Sequence, residues 1–488
     1  MTSVLADERL FEVSEAQREA PARAPAGADK TFRRYDQAQT FLLPPSLDDW
    51  LPEGHTARFV SEAVDELLDL SEIYASYEEA SGAPPYDPRM MLKLLLYGYS
   101  IGVTSSREIE RRCATDVAFR WLSANEAPDY RSIARFRRRH LSALDSLFVQ
   151  VLALCAQAGL VKLGRVALDG TKLRASASRH KAMSHDRLGP RIEEIEAQVK
   201  DLLAEAEAID SAEDAEFGED RRGDELPHEL ARRETRLARM RAAKEAIEAD
   251  AKEKAAKKAA ETARRKGKDD AEVRAAAEKA AAKAKPEPKA QRNFTDPEAR
   301  MMKTTDGFHY AYNAQALVDE HSQVVLAADV VQCAADVGQL FDMVEATEAN
   351  LAEAGVDDHP DVVLADAGYC SEDNLEKVAD GEVDMLIATG RLKHDERVPD
   401  APRGPIPKDA TARERMARRL RTKAGRAHYA RRKVIVEPAF GQMKVRQRAG
   451  FLRLRGLAGA QGEWTLHVIC HNLRKLANAS VMAQVAVA

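Results

Sequence analysis

One carboxylate stands alone among cations toward the end of the chain. Glu437 is the only acid in residues 426–451, and its neighbours include Val436, Phe440 and several Lys and Arg. Asp and Glu are seldom buried without a partner, so this setting suits a carboxylate that holds a metal ion while the cations hold phosphates. The alternative is an ordinary solvated helix whose Glu pairs with nearby Arg and Lys, and this stretch alone favours neither.

Two aspartates far upstream could complete such a site. Asp169 and Asp366 each follow a short hydrophobic run that predicts a buried strand ending in the carboxylate. If the two strands are neighbours in one sheet and the helix with Glu437 packs across that edge, three carboxylates converge. Such a set suits two Mg²⁺ ions about 4 Å apart, which activate an attacking oxygen and stabilise a leaving one. The alternative for Asp169 is a turn residue followed by glycine, which is common.

A zinc site has less support than a magnesium site. His467 and His471 are four residues apart, but no Glu stands beside the first histidine. The five cysteines are far apart and form no C-x-x-C pair, which argues against a disulfide framework and against a cysteine-based zinc site. Oxygen ligands and a hard divalent ion therefore fit the candidate residues best.

The elements that must position the acids indicate a mixed α/β domain. After the strand of Asp169 come a hairpin with its turn at residues 319–322, an amphipathic helix at 336–354 and the strand of Asp366. A helix, a strand and the helix of Glu437 follow. Residues 185–292 differ in composition and predict a helical hairpin, then a stretch that is either a solvated helix or a linker. If this segment is an insertion, a continuous α/β domain remains.

The region before the first predicted strand is expected to be helical. Residues 41–160 contain two short helices of which the second is Arg-rich, the outline of a helix-turn-helix. Arg131, Arg135 and Arg138 are its candidate DNA contacts. The alternative is a bundle helix with a solvated, charged face. Residues 1–40 are polar and rich in Ala and Pro, which predicts a disordered tail.

The whole-chain composition permits a nucleic-acid ligand. The 488 residues suffice for two or three domains, and 80 acidic residues against 74 basic ones give a net charge of −6. The basic residues cluster toward the C-terminal part, so local charge matters more than the total. No apolar run of membrane-spanning length and no signal segment is present. We therefore expect a soluble cytoplasmic protein without a membrane partner.

Three ordered blocks resemble the catalytic blocks of DDE transposases from bacterial insertion sequences. The blocks are L-D-G-T-K at 168–172, A-D-A-G-Y at 365–369 and V-E-P-A-F-G-Q-M-K at 436–444. They resemble the group with a Y-R-E-K signature around the glutamate. Residues 41–140 also resemble the helical N-terminal domain of that group. The resemblance covers most of residues 41–480. It implies an RNase H-like catalytic domain at 161–184 and 293–480, interrupted by the helical insertion 185–292. Asp169, Asp366 and Glu437 are then the metal-binding triad.

The resemblance also implies an activity and its partners. These are metal-dependent cleavage of double-stranded DNA at the terminal inverted repeats and strand transfer into target DNA. Mg²⁺ is the implied ion, with Mn²⁺ as a substitute. The implied assembly is a homodimer on DNA, in the bacterial cytoplasm and at the nucleoid when bound. Two alternatives stay open, an inactive DNA-binding derivative and an RNase H-like nuclease without strand transfer.

The signature assigns phosphate contacts to cations near the glutamate, with one irregularity. Tyr429, Arg432 and Lys444 match its Tyr, Arg and Lys, and are expected to hold phosphates near the cleaved end. The signature has three residues between Arg and Glu, whereas four separate Arg432 from Glu437. The Arg role therefore falls to Arg432 or to Lys433.

Overall fold

The computed structural model describes residues 46–77, 84–178, 181–217, 228–381, 383–390, 399, 401–407 and 409–487, and of 202–217, 228–232 and 480–487 the backbone alone. The predicted disordered tail, residues 1–40, lies outside the described residues. The chain divides into two units, Met1–Trp50 and Leu51–Ala488. Of the first unit only residues 46–50, a turn, are described.

A mixed sheet carries the predicted strands. The strands are β1 (Arg165–Arg174), β2 (Ala182–Ser184), β3 (Gln291–Asn293), β4 (Arg300–Thr304), β5 (Gly307–Asp319), β6 (Val325–Val331), β7 (Val362–Ala365) and β8 (Asp384–Ile387). Six of them form one sheet in the order β4-β5-β1-β7-β8, with β6 also paired to β5, while β2 and β3 pair separately. β1 is antiparallel to β5 and parallel to β7, which is parallel to β8. The predicted hairpin between β5 and β6 is confirmed.

The region before the sheet is helical, as predicted. Its helices are α1 (Thr56–Glu62), α2 (Ser71–Ala75), α3 (Pro88–Ser100), α4 (Ser106–Thr115), α5 (Val117–Leu122), α6 (Tyr130–Arg139) and α7 (Ala143–Gln157), with a π-helical turn at Ala63–Leu67. Asp87 caps α3 ahead of Pro88, and Asp129 caps α6, in each case by accepting from backbone N–H groups of the first turn. Ser105 holds the N-cap position of α4 without a side-chain cap hydrogen bond.

Three helices lie between β2 and β3. They are α8 (His185–Phe217), α9 (His228–Arg265) and α10 (Asp270–Lys283). The pairs Glu196–Arg241 and His185–Glu248 show that α8 and α9 are antiparallel, as a hairpin requires. Their contact is a small core of Leu188, Ile192, Ile195, Leu237, Met240 and Ile247. The stretch expected to be a helix or a linker is helical as far as Lys283, and residues 218–227, between α8 and α9, lie outside the described residues.

The C-terminal helices cover the sheet. They are α11 (Leu340–Glu353), α12 (Glu372–Asp380), α13 (Ala412–Arg421), α14 (Lys423–Ala430), α15 (Arg432–Gly441) and α16 (Leu457–Val487), with a π-helical turn at Gln442–Arg446. α16 packs against α3, α7 and β6, and the Trp464 indole donates to the Gln315 carbonyl at 3.1 Å. The helical region and the sheet consequently share one core.

The helices were also compared with the length and polarity that a bilayer requires. In the described part of the chain, no single helix is long and apolar enough to cross a membrane. The bent pair α6 and α7, at 77° to each other, meets the criteria of length and composition together.

Candidate active site

The pairing of β1 with β7 brings Asp169 and Asp366 together. Leu168 and Ala365 are the last partners in this parallel register, so the two aspartates follow at equivalent positions. Asp366 ends β7, as predicted. The prediction that the strand also ends at Asp169 is wrong, because β1 continues to Arg174 in its pairing with β5. Only the pairing with β7 stops there, and this leaves the carboxylate side of Asp169 open to a helix.

Helix α15 supplies the cation that neutralises Asp169. Arg432, only 9% exposed, donates from Nη1 to Oδ2 of Asp169 at 2.9 Å. The helix is held there by a buried stripe that includes Val436 and Phe440. Lys433 is exposed. Of the two cations left open by the signature spacing, Arg432 therefore lies at the aspartates. Its role toward phosphates stays a prediction.

The charges around the two aspartates act on one another. Burial raises the pKa of Asp169, the Arg432 guanidinium opposes this shift, and the nearby Asp366 carboxylate adds to it. Burial raises the pKa of Tyr429 as well, with Arg432 and Asp366 acting on it in opposite directions. Burial lowers the pKa of Lys444 against the attraction of Asp169. The structure thus places Tyr429, Arg432 and Lys444 near the aspartates, and their contacts with phosphates stay a prediction.

Glu437 is not part of this group of side chains. It is exposed on α15, five residues after Arg432, which is roughly 140° further round the axis of a regular helix. Among the residues that the structure describes, no three Asp, Glu, His or Cys side chains are arranged to hold a metal ion. The structure brings together two of the three predicted acids, and the triad stays a prediction.

The two aspartates nevertheless suit a divalent cation. Asp169 and Asp366 are partly buried neighbours whose negative charges repel, and Arg432 neutralises only one of them. A hard cation with oxygen ligands would remove that repulsion.

A residue that the sequence analysis missed, Asp336, lies next to this site. Its Oδ1 accepts hydrogen bonds from Lys172 Nζ at 3.1 Å, Asn313 Nδ2 at 2.7 Å and Gln315 Nε2 at 3.0 Å. Asn313 and Gln315 are fully buried polar residues two apart on β5, so they face the same side. Two amides at alternate positions in a buried strand were the signal that could have indicated a polar partner.

The glycines of two motifs are required by close approach around Asp336. A Cβ at Gly170 would lie 2.7 Å from Oδ1 of Asp336 and 2.6 Å from the Gln315 amide nitrogen. A Cβ at Gly368 would lie 2.8 Å from Oδ1 of Asp366 and 3.1 Å from Oδ2 of Asp336. Neither position has room for a side chain. Asp336 therefore lies in close contact with the turn that carries Asp366.

The arginines of helix α6 fall into exposed ones and one that is buried in the core. Arg131, Arg135 and Arg138 are exposed at positions i, i+4 and i+7, and so share one face. Arg137 is buried and donates to the Tyr99 hydroxyl at 2.6 Å and the Thr104 carbonyl at 2.9 Å, which makes it a structural residue. The three predicted DNA contacts are thus available to a ligand, and their role stays a prediction.

The histidine pair is buried in α16 and is no metal site. Burial lowers the pKa of His467 to about 3, with Arg137 adding to the shift, and lowers that of His471 to about 4. The His467 ring packs on Tyr99 at 4.9 Å, and His471 Nε2 is 2.8 Å from the Gln323 carbonyl oxygen. These contacts assign both residues to the core.

The fold and site define a class of protein, and the comparisons define the family. Two carboxylates on adjacent strands of a mixed sheet, ringed by cations, are the framework of an enzyme that acts on phosphate esters with divalent metal ions. Residues 279–473 match the family model described as Transposase DDE domain, and residues 45–139 match the one described as Transposase domain (DUF772). The chain is a DDE transposase of an insertion sequence, an enzyme that cleaves DNA and transfers strands.

The extent of the DDE match has a consequence for the site. The match implies an RNase H-like fold and contains Asp366 and Glu437, but it begins after Asp169, whose place comes from the sheet itself. Searches of curated proteins and of solved structures each gave no significant match.

Proposed function

We propose that Asp169, Asp366 and Glu437 hold Mg²⁺, which Mn²⁺ can replace, in a transposase that acts on the terminal inverted repeats of its element. The observation that carries this proposal is the adjacency of Asp169 and Asp366 beside Arg432. When bound there, divalent ions activate an attacking oxygen and stabilise the leaving oxygen of an in-line displacement at phosphorus. Because cleavage and strand transfer are both such displacements, one set of ligands serves both.

The protein's own groups position the DNA. Arg432 orients Asp169 and, with Tyr429 and Lys444, contacts phosphates next to the cleaved bond. These side chains support the assignment because each is at least partly buried and interacts electrostatically with Asp169 or Asp366. Glu437 joins the aspartates when metal and DNA are both bound.

The proposal is tested with the full chain, Mg²⁺ and a DNA fragment that carries the element's end. Asp366→Ala should lower single-turnover cleavage at least about 100-fold, because a lost ligand removes several kcal/mol of transition-state stabilisation. Glu437→Gln should match this loss. Unchanged cleavage by Asp366→Ala would refute the site, and unchanged cleavage by Glu437→Gln alone would remove Glu437 from the triad.

The same fragment separates the proposed activity from its alternatives. Cleavage and joining are scored in one reaction with labelled element ends and unlabelled target DNA. Joined products support a transposase. Cleavage without joining would indicate a nuclease, and retention of DNA without cleavage in Mg²⁺ or Mn²⁺ would indicate a DNA-binding derivative.

The arrangement of domains forms part of the proposal. Residues 41–160 bind the terminal repeats through Arg131, Arg135 and Arg138, residues 161–184 and 293–480 form the catalytic domain, and 185–292 are a helical insertion. The short β2–β3 ladder supports the insertion, because it joins the two ends of the helical segment. Two element ends require a homodimer when the protein is assembled on DNA at the bacterial nucleoid.

A further inference from the structure

An arginine-rich pocket lies between the N-terminal helices and the segment that follows α15. Its volume is about 660 Å³, and its charged lining consists of Arg107, Arg111, Arg112, Arg448, Arg453 and one acid, Glu108. The first three arginines belong to α4, and the other two lie beyond the π-helical turn Gln442–Arg446. The pocket is thus built from both halves of the chain.

A buried hydrogen-bond network fixes the pocket wall. Arg137 donates to the Thr104 carbonyl and to the Tyr99 hydroxyl, and that hydroxyl donates to Glu463 at 2.9 Å. Glu463, which is 1% exposed, also accepts from the backbone N–H of Arg453 at 2.7 Å. The Arg453 side chain returns to the Thr104 hydroxyl at 2.7 Å. A wall held this way needs little ordering when a ligand binds.

The pocket carries an excess of positive charge. Glu108 pairs with Arg111 and Arg112, and Arg112 also reaches Asp116 at 3.2 Å. Even when Asp116, which lies outside the lining, is counted, two carboxylates stand against five guanidinium groups. Guanidinium groups offer planar pairs of donors that match phosphate oxygens. The ligand chemistry that fits is a phosphate group.

Backbone geometry also marks Arg448. Its φ of +57° lies in the left-handed region, which is uncommon for a residue that is not glycine. The two segments touch beside it, since a Cβ at Gly102 would lie 2.6 Å from the Arg446 carbonyl oxygen. The exposed Arg448 side chain is directed to the pocket by a conformation that its local sequence does not favour.

The pocket connects the two regions proposed to contact DNA. The guanidinium of Arg107 lies 4.8 Å from the ring centre of Tyr130, and that of Arg131, a proposed contact on α6, lies 5.7 Å from the same ring. On the other side, the π-helical turn that ends at Arg446 contains Lys444 of the candidate active site. A duplex that touches both regions passes this pocket.

We infer that the pocket binds a backbone phosphate of the DNA between the α6 contacts and the cleaved end. This inference rests on the DNA substrate of the proposed function. A free phosphate ion has the same chemistry, and the experiment separates the two sources.

The test compares full-length variants by fluorescence anisotropy with a labelled duplex. The double variant Arg107→Gln/Arg448→Asn removes two exposed charges, and Asn tolerates the left-handed backbone at position 448. Arg89→Gln, at the far end of α3, is the control at another exposed arginine. The affinity for the duplex falls as salt is raised from about 50 to 200 mM. Each lost phosphate contact should make this fall about 3.5-fold smaller. Arg89→Gln should retain the wild-type salt dependence.

Several results would overturn the inference. A double variant that keeps the wild-type salt dependence would exclude a phosphate contact here. A second outcome is that inorganic phosphate at constant ionic strength stabilises the wild type but not the double variant against heat, while both bind DNA equally. This result would assign the pocket to a free phosphate ion. Mg²⁺-dependent cleavage of the element's end by the wild type reports the active site separately from the salt dependence of binding. Failure of the pocket is thus distinguished from failure of the active site. Absence of duplex binding by the wild type would refute both.

Discussion

The pair Arg432 and Asp169 should contribute more stability than any exposed charge near it. The side chains are 11% and 24% exposed and meet at 2.9 Å, so Arg432→Ala leaves a poorly solvated carboxylate without its donor. A hydrogen bond to a charged group contributes about 1.5–3 kcal/mol, and the lost side-chain stem adds to this, so we expect a loss of about 2–3 kcal/mol. Lys433→Ala removes an exposed charge and should change stability by less than about 0.5 kcal/mol.

Urea denaturation followed by circular dichroism measures this difference directly. The first series is run without divalent ions, so that Arg432 is the main counter-charge of Asp169. In a second series with Mg²⁺, the ion should replace the lost guanidinium and stabilise Arg432→Ala more than the wild type. Equal stability of Arg432→Ala and Lys433→Ala in the first series would refute the ion pair. If Mg²⁺ stabilised Arg432→Ala and the wild type equally, Asp169 would not be a ligand of the metal ion.

Three further predictions concern the surroundings of the site. Gly170→Ala should cost about 1–3 kcal/mol in urea denaturation because its Cβ meets Asp336, whereas Gly441→Ala, with open space around it, should cost nothing. Asp336→Asn should slow cleavage by about 10- to 100-fold at unchanged DNA affinity, since it only positions groups at the site. His467 and His471 have depressed pKa values when folded, so stability is lost as pH falls below about 6.5, by about 2 kcal/mol each between pH 7 and 5. Replacing both by Gln should remove that part of the acid sensitivity, measured as the pH 7 to pH 5 difference against wild type.

The parts of the fold that depend on local pattern were predictable. The hydrophobic run before Asp366 forms a strand that is buried on both faces, which is the pattern typical of parallel strands. The turn at 319–322 joins two strands whose apolar residues are mostly buried, although Phe308 at the start of β5 is exposed. Trp464, Leu466, Ile469 and Leu473 of α16 are buried, as their spacing predicts. In each case the side chains that form the hydrophobic pattern in the sequence are the ones that are buried in the structure.

The parts that depend on distant contacts were not predictable. Asp336 stands at the start of the helix predicted at 336–354, just before the 3-10 turn Val337–Gln339 that leads into α11, and only the folded sheet places it beside Gly170 and Gly368. The end of β1 was placed too early, because Asp-Gly is a frequent turn signal and the pairing with β5 overrides it. The arginine pocket joins residues more than 300 positions apart, which no local pattern connects.

The phase of α15 determines how the glutamate can reach the aspartates. Residues four apart share a helix face, and Arg432 and Val436 are both buried, so Glu437 is turned toward solvent. Lys433 is four residues before Glu437, so a rotation of the helix that brings Glu437 to the aspartates carries Lys433 with it and withdraws Arg432. In a regular helix, Arg432 and Glu437 therefore act on the aspartates together only if the helix stays in place and Glu437 reaches them by its side chain. The stability of the free protein therefore depends on Arg432. The cleavage rate instead depends on how α15 and Glu437 are placed when DNA and metal are bound. Loss of cleavage by Lys433→Ala at unchanged stability would show the rotated helix, whereas wild-type cleavage would require Glu437 to reach the aspartates by its side chain alone.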